Sequence, residues 1–156
     1  MKSHILVIAL LVVACNTSAQ KKITVPEAVK TAFATAYPKA TAAEWEMEDG
    51  MYEAEWKENN METSVLYMAD GTLVQTETEI KVEDLPQPVR DYVTNNLKGQ
   101  KIKEAAKIVA ANGTISYEAE VGGTDYILDA NGTLLSTEEE DEEGEEDDED
   151  DDEKKK

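Results

Sequence analysis

Apolar and charged residues alternate strictly over Tyr52-Glu53-Ala54-Glu55-Trp56, and the pattern returns as Tyr117-Glu118-Ala119-Glu120-Val121. A period of two marks a half-buried strand, so each stretch predicts a strand with Tyr, Ala and Trp or Val inward and both Glu outward. Ahead of each copy the period lengthens to that of a helix. Val29, Phe33 and Ala36 form one apolar stripe, and Val89, Val93 and Leu97 form another. Thr24-Val25-Pro26-Glu27 reads as a helix start, with Thr as cap, Pro in the first turn and Glu closing a capping box. Asp84-Leu85-Pro86-Gln87 repeats that start. Tyr37-Pro38 ends the first helix and Gly99 the second.

Four strand-like runs follow each helix, separated by pairs that tolerate positive φ. The pairs are Asp49-Gly50, Asn59-Asn60 and Asp70-Gly71, then Asn112-Gly113, Gly122-Gly123 and Asn131-Gly132. The chain therefore predicts an α+β fold of two tandem helix-plus-four-stranded-meander repeats, forming an antiparallel sheet with helices on one face. Repeat one spans about 24–80, repeat two about 84–137, and Val74 to Val82 joins them. Two-residue turns set Met47 opposite Tyr52, Trp45 opposite Ala54, Tyr52 opposite Tyr67 and Ala54 opposite Val65. The same rule at Asn112-Gly113 sets Ile108 opposite Tyr117, Ala106 opposite Ala119 and Lys107 opposite Glu118. Only the last turn of each unit needs a three-residue loop with a glycine bulge, pairing Tyr67 with Leu73 and Leu128 with Leu134. In this register Trp45 and Trp56 both face the buried side.

Charge narrows the partners. The net charge is −20, of which −12 falls in the stretch from Glu138 to Lys156, leaving −8 for the rest. An acidic body argues against nucleic acid and against anionic lipid. Residues 138–156 read as a disordered acidic tail, and 20–137 as the folded domain. Residues 1–19 read as a signal peptide: Lys2 precedes a ten-residue apolar run, Ile5 to Ala14, too short to span a bilayer. Thr17-Ser18-Ala19 suits cleavage after Ala19, whereas Val12-Val13-Ala14-Cys15 suits a lipobox with a lipid anchor at Cys15. Either way the protein is exported, whether periplasmic, secreted or envelope-anchored. The single Cys and single His, Cys15 and His4, both lie in this leader. The domain thus has no residues for disulfides, thiol catalysis, Cys/His zinc sites or His-based triads.

Several of these stretches resemble a known family. Pro26 and its helix, Tyr37-Pro38, Trp45-Glu46, Tyr52-Glu53-Ala54 and Asp70-Gly71-Thr72-Leu73 look like the secreted PepSY-like domains, grouped with the fold of the beta-lactamase inhibitory protein. Pro86, Tyr117-Glu118-Ala119 and Asp129-Ala130-Asn131-Gly132 match equally in the second unit. The resemblance covers Thr24 to Ser136. It implies an eight-stranded antiparallel sheet backed by helices, envelope or secreted localisation, and a binding role that is inhibitor-like toward a peptidase or other hydrolase. It brings no inhibitor contact residues, because the inhibitor's contact loops have no counterpart in this sequence.

One face is unusual in its charge. The register sets Glu44 opposite Glu55 and Glu46 opposite Glu53, and like charges directly opposite on a sheet repel. Glu44, Glu46, Glu53 and Glu55 are therefore the candidate ligand face, for a protein partner with a basic surface, set against a plain solvated acidic face. The alternative is a divalent-cation-binding envelope protein acting through this face and the tail, with weak calcium binding; the EF-hand spacing is absent. No catalytic residue, cofactor site or confident metal site is predicted, since the paired carboxylates stand on an open face without a pocket.

Overall fold

The structure, a computed structural model, describes residues 23–40 and 42–139. Both processing readings of the leader, at Cys15 and Ala19, and the acidic run beyond Glu139 lie outside the described residues. The elements run α1 (Glu27–Ala36), β1 (Glu44–Glu48), β2 (Met51–Glu58), β3 (Met61–Tyr67), β4 (Leu73–Glu79), a 3-10 turn (Val82–Asp84), α2 (Gln87–Asn96), β5 (Ala105–Ala110), β6 (Ile115–Glu120), β7 (Thr124–Leu128) and β8 (Leu134–Glu139). The eight strands form one antiparallel sheet in sequence order. β4 pairs with β5, Glu77 opposite Ile108, so the stretch after Leu73 is the strand that welds the two units together. Glu138 and Glu139, expected in the tail, complete β8: Asp125 pairs with Glu138 and Thr124 with Glu139. The backbone ladder continues there whatever charge the side chains carry.

Both helices begin at proline rather than at a side-chain cap. Pro26 and Pro86 hold the N-cap positions, and neither helix start carries a side-chain cap hydrogen bond. The capping box expected at Thr24 and Glu27 does not form. In the second unit the Arg90 guanidinium instead ties the entering chain to the helix, donating to the carbonyl oxygens of Glu83 at 2.9 Å and of Leu85. Each helix lays its stripe on one face of the sheet. Val29 and Phe33 pack with Ala54, Trp56, Val65 and Tyr67, and Val89 and Val93 pack with Ala105, Ala119, Val121 and Leu128. Ala36 is exposed, because the helix ends there. Trp56 is buried, but Trp45 is only half-buried and Met47 is 51% exposed, since β1 is an edge strand.

The registers of β1, β2 and β3 are those expected, down to Trp45 opposite Ala54 and Tyr52 opposite Tyr67. The bulged ends are as expected too, with Tyr67 opposite Leu73 and Leu128 opposite Leu134. The β5–β6 register is not. Lys107 faces Tyr117, Ala105 faces Ala119, Ala106 faces Glu118 and Ile108 faces Ser116. The loop is Ala111-Asn112-Gly113, closed by Ala110 N–H to Thr114 O at 2.9 Å, three residues rather than two. A slip of one residue moves every side chain of β5 to the other face. Ile108 and Ala106 therefore leave the helix side, and Lys107 joins it.

The sequence carried a signal for this. Ala69-Asp70-Gly71-Thr72, Ala111-Asn112-Gly113-Thr114 and Ala130-Asn131-Gly132-Thr133 are one motif. In each the Gly has positive φ and the Thr amide donates to an Asp or Asn side chain at 2.9 Å. Two of these glycines also touch the helices. A Cβ on Gly71 would stand 2.7 Å from Ala28 O, and one on Gly132 2.5 Å from Pro88 O, whereas one on Gly113 would meet nothing within 4 Å. Gly113→Ala should cost only left-handed strain, ~1–2 kcal/mol. Gly71→Ala and Gly132→Ala add a backbone collision and should each cost ~2–4 kcal/mol. Urea unfolding of the three variants measures the gap between them; equal losses would mean that the loops are not seated on the helices.

Candidate functional site

The helices cover one face of the sheet, and alternation sends every second residue to the other. That far face carries Glu44, Glu46 and Glu48 on β1, Glu53 and Glu55 on β2, and Glu62, Ser64 and Leu66 on β3. It continues through Gln75, Glu77 and Glu79 on β4, then Ala106 and Ile108 on β5. Glu118 and Glu120 on β6, Asp125 and Ile127 on β7, and Glu138 on β8 complete it. No helix of the described residues lies on it, yet it is not open to water as expected. Glu53 is 6% exposed, Glu77 2%, Glu118 4% and Glu120 2%. The charge of Glu138 on the last strand is felt at Glu48 on the first. The sheet is therefore curled, and the far face is its concave side. Right-handed twist accumulated over eight strands produces such a curl.

Small apolar groups line the hollow between the acids. Ile108 packs on Ile127, and Met51 on Leu66 with Val74 beside them. Among the described residues two lysines reach these acids. Lys57 pairs with Glu62 at 3.1 Å, as the register predicts, and Lys103 with Glu120 at 2.9 Å; both lysine side chains stand mostly in water at the rim. The remaining carboxyls face one another. Burial, then the Glu53 charge, pushes Glu48 up to about 9. Burial pushes Glu53 up to about 7, opposed by a hydrogen bond from Ser64. Burial and the Glu62 charge lift Glu55 to about 8. Burial and Asp125 lift Glu118 to about 9, and burial with Glu118 beside it holds Glu77 well above the ordinary carboxylate range.

The four glutamates singled out from the sequence all lie on this face, paired as expected, Glu44 with Glu55 and Glu46 with Glu53. They are not equivalent: Glu44 is exposed, Glu46 and Glu55 are half-buried, and Glu53 is buried. They form one flank of the hollow. Its centre belongs to Glu77 and Glu118, which sequence reasoning did not single out. The polar alternation Gln75, Glu77, Glu79 against Thr76 and Thr78 was the available signal for the first of them. Among the described residues no three or more His, Cys, Asp or Glu are grouped to hold a metal ion, and no helix is long and apolar enough to cross a membrane. On the helix side an open groove of about 390 Å³ runs between the end of α1 and β1, lined by Lys30, Phe33, Tyr37, Pro38 and Trp45 among others. Its walls are the aromatic side chains of the first core.

A family model described as "Putative beta-lactamase-inhibitor-like, PepSY-like" matches the sequence twice, over residues 11–75 and 61–136. No curated protein matches it. Several solved structures are similar, among them the following three. A DUF2874 family protein from Bacteroides ovatus has a TM-score of 0.65 at 22% identity, covering 76% of this chain and 89% of its own. A protein from Bacteroides eggerthii described as "putative periplasmic" has 0.65 at 18%, covering 74% and 89%. A BLIP-like protein from Bacteroides fragilis has 0.58 at 22%, covering 76% and 89%. At these identities the likeness is one of fold.

Proposed function

The chain belongs to the beta-lactamase-inhibitor-like, PepSY-like family, and on that premise we propose that it is a non-catalytic, exported binding module whose concave sheet face receives a basic stretch of a protein partner. The observation that carries this is the crowding of Glu46, Glu48, Glu53, Glu55, Glu77 and Glu118 on one curved surface, with the carboxyls of Glu48, Glu53, Glu55, Glu77 and Glu118 lifted by burial and by their acidic neighbours. Carboxyls held together this way lose free energy through desolvation and repulsion. A partner bringing Lys or Arg turns the same surface into paired charge, and steers its own approach. The family description gives this role its inhibitor-like form: covering a basic surface of a peptidase or other hydrolase needs shape and charge, and no catalytic group.

The test is a titration with a lysine-rich decapeptide, comparing the full-length protein with the Glu46→Gln/Glu53→Gln double variant. The acidic run is common to both and cancels in the comparison. The parent should bind ~2–10-fold more tightly at low salt, the worth of one or two surface ion pairs, and the difference should shrink at high salt. Equal affinities in parent and variant at low salt would remove this face as the binding surface.

A further inference from the structure

At the centre of the hollow, Glu77 on β4 and Glu118 on β6 reach toward each other across β5, which offers only Ala106 and Ile108 between them. The two side chains share a hydrogen bond. Each keeps one oxygen that is buried without a hydrogen-bond partner, Oε1 of Glu77 and Oε2 of Glu118. A buried polar atom left unpaired is costly, and such atoms in a native fold call for an explanation. Their neighbours do not supply one. The largest charges that reach the pair come from Glu48 and Glu53 on β1 and β2, and from Glu120, Asp125 and Glu138 on β6, β7 and β8, and these are acidic. The nearby cations are already engaged, Lys57 with Glu62 and Lys103 with Glu120. Glu79 accepts the Glu62 amide at 3.0 Å. Beside the pair, Ile108 and Ile127 make a small apolar floor.

We propose that Glu77 and Glu118, with Ile108 and Ile127, form a subsite for a primary ammonium group on an aliphatic stem, the end of a lysine side chain on the partner. This rests on the concave face being the binding surface. An ammonium carries three donors in a compact head, enough for both orphaned oxygens and one shared carboxyl oxygen. Its stem is apolar and lies along the two isoleucines. A guanidinium is a wide planar fork, ill-matched to two carboxyls that close on each other over a narrow strand. In the free domain both orphaned oxygens are covered, so the carboxyls turn apart to admit the ligand. Burial raises both carboxyls and keeps Glu118, lifted to about 9, protonated near neutrality, so the exchange is balanced by release of a carboxyl proton to solvent as the cation takes its place.

The probe is n-butylammonium, a lysine side chain without its backbone, titrated into the full-length protein by calorimetry in buffers of different ionisation enthalpy. The Ile108 and Ile127 methyl signals are followed by NMR. The expected result is shifts at both isoleucines, proton release on binding, and tighter binding as the pH is raised. Glu118→Gln and, separately, Glu77→Gln should each lose most of the shift, while tetramethylammonium, which has no N–H donor, should produce none in the parent. Shifts that survive both substitutions, or that tetramethylammonium reproduces, would overturn the subsite. The two readings separate in the decapeptide titration. Binding that depends on Glu46 and Glu53 but not on Glu118 leaves the face and removes the subsite. Glu118-dependent butylammonium binding without any decapeptide binding leaves the subsite and removes the protein-partner reading.

Discussion

The folded domain should be most stable in mild acid and lose stability as the pH rises toward 9. Glu48 and Glu118 are lifted to about 9, Glu55 to about 8 and Glu53 to about 7, all from 4.5. Glu77 moves the same way. A carboxyl whose folded pKa is raised holds a proton that the unfolded chain has released. Its stabilising contribution is complete below the unfolded value and is lost as the pH climbs through the folded one. Between those limits the native state binds more protons, so stability falls with pH, by about 1.4 kcal/mol per pH unit for each proton fully retained. Glu48 and Glu55 are partly open to water and contribute less than their shifts imply. Asp70 and Asp129 are lowered by backbone hydrogen bonds at exposed turns and act in the opposite sense, only at lower pH. Calorimetry from about pH 5 to about pH 9 should show Tm falling by ~10 °C or more. Glu118→Gln should flatten the slope and raise Tm at the alkaline end. A Tm that is flat or rising from pH 5 to 8 would contradict the buried acidic face.

That prediction could not have been written from the sequence, and the reason is geometric. Alternation in Tyr52-Glu53-Ala54-Glu55-Trp56 says which residues share a face, and the two-residue turns at Asp49-Gly50 and Asn59-Asn60 fix who stands opposite whom. Both are local, and both were legible. Curvature is not local. It depends on twist summed over eight strands, and only the curl brings Glu48 within reach of Glu138 and buries Glu53. Asn112-Gly113 failed for a different reason. An Asn-Gly pair fits a two-residue turn or the end of a three-residue loop, and the Thr after the Gly, shared with the other Ala-Asp/Asn-Gly-Thr loops, decides between them. The resulting slip put Ile108 on the wrong side and hid the apolar floor beside Glu118. The small side chain of Ala106 follows from the same geometry. β5 is an inner strand crowded by Glu77 and Glu118, whereas β1 is an edge strand with room for Glu46 at the equivalent place opposite Glu53.

Phe33→Ala should be the most damaging single truncation in the first unit. Phe33 meets Trp45 edge-on at 5.1 Å, Trp56 edge-on at 5.5 Å and Tyr37 at 5.6 Å. It is the only Phe in the chain, and it seats α1 on the back of the strands that carry Glu46 and Glu53. The second unit has Val93 in that role and a looser ring pair, Tyr92 with Tyr126 at 6.5 Å. Removing the Phe33 ring leaves a cavity among aromatics that cannot close around it, and should cost ~3–5 kcal/mol; Val93→Ala loses about two methylene equivalents and should cost ~2 kcal/mol. Urea unfolding measures both, and the probes add a second reading. Both tryptophans of the chain lie in the first unit, so their fluorescence follows that unit alone while far-UV circular dichroism follows the whole sheet. Because β4 pairs with β5 along Gln75 to Glu79, the two units share one ladder and should unfold together. In the parent the two probes should therefore trace one transition. In Phe33→Ala both should shift by the same amount. Fluorescence melting ahead of circular dichroism would show that the β4–β5 seam is weaker than either core, and that the first unit can unfold while the second stays folded, which parts Glu77 on β4 from Glu118 on β6.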